Sequence, residues 1–274
     1  MSDSQKILLV GCGKMGGAML RGWLSRGVAP DNVRVIEPSG EAADALRQEL
    51  HVTVLADAAA IEQSFVPDIV VFAVKPQGMD NIVPTYAGFA AKGAVCLSIA
   101  AGRTISYFEA QLGDGAAVVR TMPNTPAAVG RGITAGFANR YVSDAQRTAC
   151  ERLLEAVGDA VWVENEEMID AVTALSGSGP AYVFLMIECL ARAGEAMGLP
   201  AAIAAKLARV TVAGSGELAR QSEEAACVLR QNVTSPGGTT AAALEVLMAD
   251  DDGLQRLINR AVDAATRRSR ELSG

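Results

Sequence analysis

The segment Lys6 to Gly17, KILLVGCGKMGG, restricts the possible folds more than any other part of the chain. Four aliphatic residues, Ile7 to Val10, run into a loop with glycines at 11, 13 and 16. A helical pattern follows, with Ala18, Met19, Leu20, Trp23 and Leu24 on its apolar side. This order is strand, tight turn, helix. In the spacing G-x-G-x-x-G the first glycine makes the turn, the second lets a pyrophosphate approach the backbone, and the third lets helix and strand pack closely. The helix directs its unpaired N–H groups and the positive end of its dipole at the phosphates. A glycine-rich turn is unspecific by itself; its place directly after a buried strand predicts dinucleotide binding.

The next segments alternate in the same way. Val33 to Ile36 is a short strand that ends in Glu37-Pro38-Ser39. At this strand end an acid favours a free ribose 2′-hydroxyl, whereas basic or hydroxyl-rich surroundings accept a 2′-phosphate. Glu37 points to NAD, Ser39 and Arg34 leave NADP open, and Glu37 as a plain solvated strand terminus is the alternative. A helix over Glu41–Leu50, a strand over Val52–Leu55 and a helix capped by Asp57 come next. The run from Asp68 to Pro76, DIVVFAVKP, is too continuously apolar for a half-exposed strand, so it reads as a central parallel strand buried on both faces. It ends at Val74-Lys75, on the edge where open α/β sheets bind ligands. Lys75 is either a cation for ribose, phosphate or carboxylate, or a snorkelling surface lysine. Ala94 to Ile99 closes on Ala100-Ala101-Gly102, small residues that leave room for a flat ring. Ala116 to Thr121 runs into the proline-bracketed Met122-Pro123-Asn124-Thr125-Pro126. A strand over Ile133–Phe137, a helix over Ser143–Val157 and a strand over Ala160–Val163 complete an N-terminal α/β domain over residues 1–163.

From Glu166 onward no strand is predicted. Ser178-Gly-Pro180 opens a helix that Gly198 ends, Pro200 opens another, and the last runs from near Gly253 to about Glu271. Tyr182 to Ile187 is apolar at six successive positions, and Val210 to Ser215 is apolar or small throughout. Neither helix has a single apolar stripe, so each must be covered on more than one side. Residues 164–274 offer little core for that, which predicts an obligate dimer with interlocked helices; a central helix buried within one subunit is the alternative. Between the helices, Asn232-Val-Thr-Ser-Pro-Gly-Gly-Thr-Thr240 leads into a helix beginning near Ala241. This second loop-to-helix junction is either a backbone anion site or a hydroxyl-rich cap.

Composition narrows the chemistry. A net charge of -7 without a Lys/Arg block argues against a sequence-independent grip on nucleic acid or anionic membrane. The apolar run Ala181 to Ile187 is stopped by Glu188, short of the roughly 20 residues of a bilayer span. No leader pattern precedes Lys6, so the expected location is cytoplasmic. The five cysteines, Cys12, Cys96, Cys150, Cys189 and Cys227, form no C-x-x-C pair, and with His51 as the single histidine no metal cluster is expected. Cys12 is read as a buried small hydrophobe, with reactivity as the alternative. His51, placed at the start of a strand, reads as a surface residue, which leaves no Ser-His-Asp or Cys-His arrangement.

Taken together, VGCGKMGGAM, AVKPQ from Ala73, AAGRTI from Ala100, MPNTP from Met122, IDAVTALSGSGPAY from Ile169 and NVTSPGGTTAAALEVL from Asn232 resemble pyrroline-5-carboxylate reductases. The resemblance covers essentially the whole chain in order, and LSGSGPAY and TSPGGTT are its specific motifs. It implies a Rossmann dinucleotide-binding domain followed by an all-α domain for dimerisation and substrate binding, an interlocked dimer, and in some members a decamer. It also implies reduction of 1-pyrroline-5-carboxylate to L-proline with NADPH or NADH. By position, the cofactor would meet Gly11, Cys12, Gly13, Lys14, Met15, Gly16, Glu37, Pro38, Ser39, Val74, Lys75, Ala101 and Asn232. The substrate would meet Glu166, Ser235, Gly238, Thr239 and Thr240, and Thr240 would hydrogen-bond the ring nitrogen. Some members carry serine or arginine where this sequence has Glu37-Pro38, so the choice of cofactor stays open. A 3-hydroxyisobutyrate-type dehydrogenase has the same outline but uses a lysine on its interdomain helix, and Lys206 lies outside any matching motif. A non-catalytic dinucleotide-binding regulator is the rival from another class, and the intact TSPGGTT loop argues against it.

Overall fold

The computed structural model describes residues 5–273. The chain divides into two compact units: one extends to Gly177 and takes in the segment from Thr266 onward, and the other is Ser178–Ala265.

The first unit is built on eight strands among the described residues: β1 (Ile7–Val10), β2 (Val33–Ile36), β3 (Thr53–Leu55), β4 (Ile69–Phe72), β5 (Val95–Ser98), β6 (Val118–Met122), β7 (Gly132–Ala138) and β8 (Gly158–Trp162). Its helices are α1 (Lys14–Ser25), α2 (Gly40–Leu50), α3 (Met79–Ile82), α4 (Ala87–Ala90), α5 (Ile105–Leu112), α6 (Asp144–Glu155) and α7 (Met168–Val172). The strands form one sheet in the order β3-β2-β1-β4-β5-β6-β7-β8. Strand order reverses between β1 and β4, which opens the crevice where doubly wound sheets bind dinucleotides. Every residue of β1 and β4 is buried, as a parallel strand covered on both faces requires. Ile7 and Leu9 pack with Met19, Leu20, Trp23 and Leu153 on one face. Leu8 and Val10 pack with Phe72, Met79 and Phe108 on the other. The Trp23 indole N–H donates to the Leu153 carbonyl at 2.9 Å, tying α1 to α6 inside the first of these cores.

The structure adds the strand directions at one edge and corrects two local expectations. The pairing of β6 with β7 is antiparallel, while β8 runs parallel to β7. The proline-bracketed link between β6 and β7 is shorter than the crossover of about a dozen residues that a parallel pair needs. His51 does not start a strand. It ends α2 in the left-handed region at φ 54, its N–H bonded to the Arg47 carbonyl. Asp57 caps only a single 3-10 turn, Ala58–Ala60, and not a full helix.

The second unit contains α8 (Gly179–Ala196), α9 (Ala201–Gln221), α10 (Ala226–Asn232), α11 (Thr239–Leu247) and the first part of α12 (Leu254–Ser273). Pro180 lies in the first turn of α8, and Gly198 follows that helix at φ +93. A Cβ on Gly194 would lie 3.2 Å from the Ala204 Cβ, so the missing side chain lets α8 and α9 approach closely. The large apolar side chains have little shelter: Val183, Phe184, Leu185 and Val210 are 48%, 59%, 53% and 61% exposed. By length and composition alone, the helical stretch Met168–Ala196 could cross a bilayer, which amends the estimate made from Ala181 to Ile187.

Candidate functional site

The glycine loop is shaped by contacts that leave no choice of side chain at two positions. Gly11 sits at φ +86 with its N–H bonded to the Ile36 carbonyl, and a Cβ there would lie 2.6 Å from Val74 Cγ1. A Cβ on Gly16 would lie 2.7 Å from the Gly11 carbonyl oxygen. Gly13, the N-cap of α1, has nothing within 4 Å of its Cβ position. Two glycines therefore close the turn and the third keeps a space open in front of the helix. The first turn of α1 has neither a capping side chain nor an acidic residue. Its N–H groups and dipole are available to an anion, so the cradle fits a pyrophosphate.

The other predicted cofactor residues of the first unit collect at the same sheet edge, because β1, β2, β4 and β5 are parallel and adjacent. Glu37 follows β2 and is fixed from both sides: Oε2 accepts from the Cys12 N–H at 3.3 Å and Oε1 from the Ser39 N–H at 3.0 Å. Ser39 caps α2 by accepting from the Ala42 N–H at 3.5 Å. Burial, and then the Glu37 charge, push the Cys12 thiol up to about 11, so it is a neutral packing group and not a nucleophile. Beside Gly11 and Val74 lies a cavity of about 380 Å³, lined also by Pro38, Asp57, Thr85 and Tyr86. Its walls are largely apolar and suit a flat heteroaromatic base. Burial, with a smaller contribution from Asp57, pushes the Tyr86 phenol up to about 12. Lys75 is exposed just after β4, and Ala101 is half-buried in the turn after β5.

Glu166 occupies a different setting from that of a free substrate ligand. Its Oε1 accepts from Arg120 Nη1 and from the Ile105 N–H at the start of α5, both at 2.8 Å. Arg120, 2% exposed in the middle of β6, also places Nη2 3.8 Å from Asp170 Oδ1. That oxygen accepts from Ser269 Oγ at 2.7 Å. Among the described residues, Arg120 Nε and Nη2 have no hydrogen-bond partner. Sequence reasoning passed over Arg120, although a lone arginine in the aliphatic run VVRTM was a signal that a buried charge needs partners. It also passed over Tyr86 and Thr85, in a stretch with no clear periodicity.

Asn232, Ser235, Gly238, Thr239 and Thr240 belong to the second unit. Gly237 turns the chain at φ +68, the Gly238 N–H returns to the Ser235 carbonyl at 3.0 Å, and α11 starts at Thr239. Gly238 is its N-cap and supplies no side chain, so the first N–H groups of α11 are open to an anion beside the hydroxyls of Thr239 and Thr240. Asn232 ends α10 and donates from Nδ2 to Glu224 Oε2 at 3.3 Å.

The family model described as pyrroline-5-carboxylate reductase dimerisation matches residues 166–272, and that of the NADP oxidoreductase, coenzyme F420-dependent, matches residues 6–102. A pyrroline-5-carboxylate reductase of Pseudomonas aeruginosa is 39% identical, over 99% of this chain and 98% of that protein. The chain belongs to the pyrroline-5-carboxylate reductase family. A solved reductase of this family from Coxiella burnetii superposes with a TM-score of 0.92 at 36% identity, covering 99% of both chains. One from Plasmodium falciparum, solved with NADP bound, gives 0.82 at 27% identity, again over 99% of both. The family's dimerisation segment contains the helices whose apolar side chains lie exposed in the single chain, consistent with a homo-oligomer.

Proposed function

We propose that this protein reduces the cyclic imine 1-pyrroline-5-carboxylate to L-proline with NADPH or NADH. The observation that carries this beyond family membership is the pair of uncapped helix N-termini, one behind the glycine cradle in the first unit and one behind the TSPGGTT loop in the second. The first suits a pyrophosphate and the second a carboxylate. A bound reduced nicotinamide supplies a hydride from its C4. The protein's own task is orientation: a protonated imine already accepts hydride at C5, so neither histidine nor metal is required.

Gly11, Cys12, Gly13, Lys14, Met15 and Gly16 hold the pyrophosphate; Glu37, Pro38 and Ser39 meet the adenosine ribose; Val74, Lys75, Ala101 and Asn232 complete the cofactor's surroundings. Ser235, Gly238, Thr239 and Thr240 hold the substrate carboxylate, and the Thr240 hydroxyl bonds the ring nitrogen. Glu166 contributes to the substrate side from its anchored position on Arg120. Residues 1–163 serve the cofactor, and 164–274 serve dimerisation and substrate. The assembly is a dimer or a decamer, cytoplasmic, with no nucleic-acid or membrane partner; the apolar helix of the second unit is covered by protein and not by lipid.

The test is oxidation of NADPH and NADH in the presence of 1-pyrroline-5-carboxylate. Thr240→Ala should lower kcat/KM by on the order of a hundredfold with the melting temperature and cofactor affinity unchanged. Turnover near wild type would remove Thr240 from the mechanism.

A further inference from the structure

We infer that Glu37 makes this protein select NADH over NADPH, by binding the ribose 2′-hydroxyl and repelling a 2′-phosphate. The inference rests on the reading of the glycine loop as a dinucleotide cradle and goes further by choosing between the two cofactors.

Glu37 is the first residue beyond β2, at the edge that carries the cradle. Its carboxylate is not a loose surface group. The Cys12 N–H holds one oxygen and the Ser39 N–H holds the other, at 3.3 and 3.0 Å. A carboxylate oxygen accepts more than one hydrogen bond, so each keeps capacity for a ribose hydroxyl. A 2′-phosphate brings up to two negative charges and no proton to donate at neutral pH, against an acid already fixed in place.

The arginines nearest to Glu37 in the sequence are engaged elsewhere. Arg34, which left NADP open in the sequence, is three positions earlier on β2, about 10 Å along the strand from Glu37. Its Nε bonds Glu62 at 3.2 Å, its Nη1 bonds the Asp31 carbonyl at 2.8 Å, and its guanidinium lies over the Phe65 ring at 4.6 Å. Arg47 of α2 donates to the Val54 carbonyl and to Asp44, both at 2.7 Å. The Ser39 oxygen accepts from the Ala42 N–H as the cap of α2, which leaves a single neutral O–H to offer a phosphate. Pro38 has no N–H to offer.

The experiment is calorimetric binding of NADH and of NADPH to the full-length protein without substrate, for wild type, Glu37→Gln and Glu37→Ser. Wild type should bind NADH at least about tenfold more tightly than NADPH. Glu37→Ser should weaken NADH and tighten NADPH, so that the ratio falls below one half of its wild-type value or inverts. Glu37→Gln, which keeps hydrogen bonding but loses the charge, should recover NADPH binding while retaining most of the NADH affinity. Equal or tighter NADPH binding by wild type, or variants that change both affinities by the same factor, overturns the inference. Binding of neither cofactor overturns the cradle reading and the inference with it. Selective NADH binding without imine reduction sustains the inference and removes only the proposed substrate.

Discussion

At the scale of single residues the three cradle glycines divide into two kinds, and substitution should separate them. Gly16→Ala forces a methyl group to within 2.7 Å of the Gly11 carbonyl, so the strand and helix must part. The expected result is a loss of stability of about 1–3 kcal/mol, read from denaturant unfolding at fixed protein concentration. Gly13→Ala meets nothing within 4 Å and should leave unfolding nearly unchanged. It should instead weaken cofactor binding by tenfold or more, since the methyl group enters the space left for the pyrophosphate (an estimate of about 1.4 kcal/mol or above). If Gly13→Ala bound cofactor like wild type, the phosphates would have to lie elsewhere. Cys12 is a second case in which position misleads. A cysteine beside a helix N-terminus is often an activated thiolate, yet burial and Glu37 raise this one from 9.0 to about 11. At pH 8 its thiolate fraction is then about a hundredfold below that of an unshifted thiol. Its alkylation by iodoacetamide, followed by mass spectrometry of the loop peptide, should be slow at pH 8 and keep accelerating up to about pH 11. Rapid modification at neutral pH would contradict the assigned environment.

At the scale of elements, the strands that the sequence announces most plainly are β1 and β4, whose burial on both faces leaves a continuous apolar run. The direction of a strand leaves no such mark, and only the shortness of the link from β6 hinted that β7 turns back. The short helices α3 and α4 went unread because four residues are too few to show a helical period. The candidate site is legible to the same extent: the glycine spacing shows as a tight turn with the acid after β2 held beside it, whereas Arg120 acts through partners at 166, 170 and 269 that only folding brings near it. That cluster joins β6, α7, the start of α5 and the end of α12 within the first unit. Arg120→Met should destabilise by about 3–5 kcal/mol, because the Glu166 carboxylate loses its charge partner in a partly buried setting. The double variant Arg120→Met, Glu166→Gln should recover a large part of this in chemical denaturation, since removing both charges also removes the desolvation cost. Strictly additive losses would show that the two side chains stabilise the unit independently.

At the scale of the whole molecule, the contrast between the two units concerns where their apolar surface goes. The sheet unit hides Trp23, Phe72 and Phe108 completely, whereas among the buried residues of α8, α9, α10 and α11 there are only Ala204 and Ala208. If such a segment draws its stability from surface supplied by another chain, its folding is coupled to association. The melting temperature of the wild-type protein should therefore rise with protein concentration, and light scattering should find no monomer at micromolar concentration. Phe184→Glu places a charge on a side chain that is 59% exposed in the single chain, on the helix that a partner chain is expected to cover. Covering such a side chain is worth about 1.5–3 kcal/mol, and a buried unpaired carboxylate costs more than that gain. The variant should dissociate or precipitate, and lose imine reduction, while the first unit keeps the sheet signal in circular dichroism and still binds cofactor. A wild-type protein that stayed monomeric and active at every concentration would show that the helical unit is stable without a partner, and the exposed apolar faces would then need another explanation.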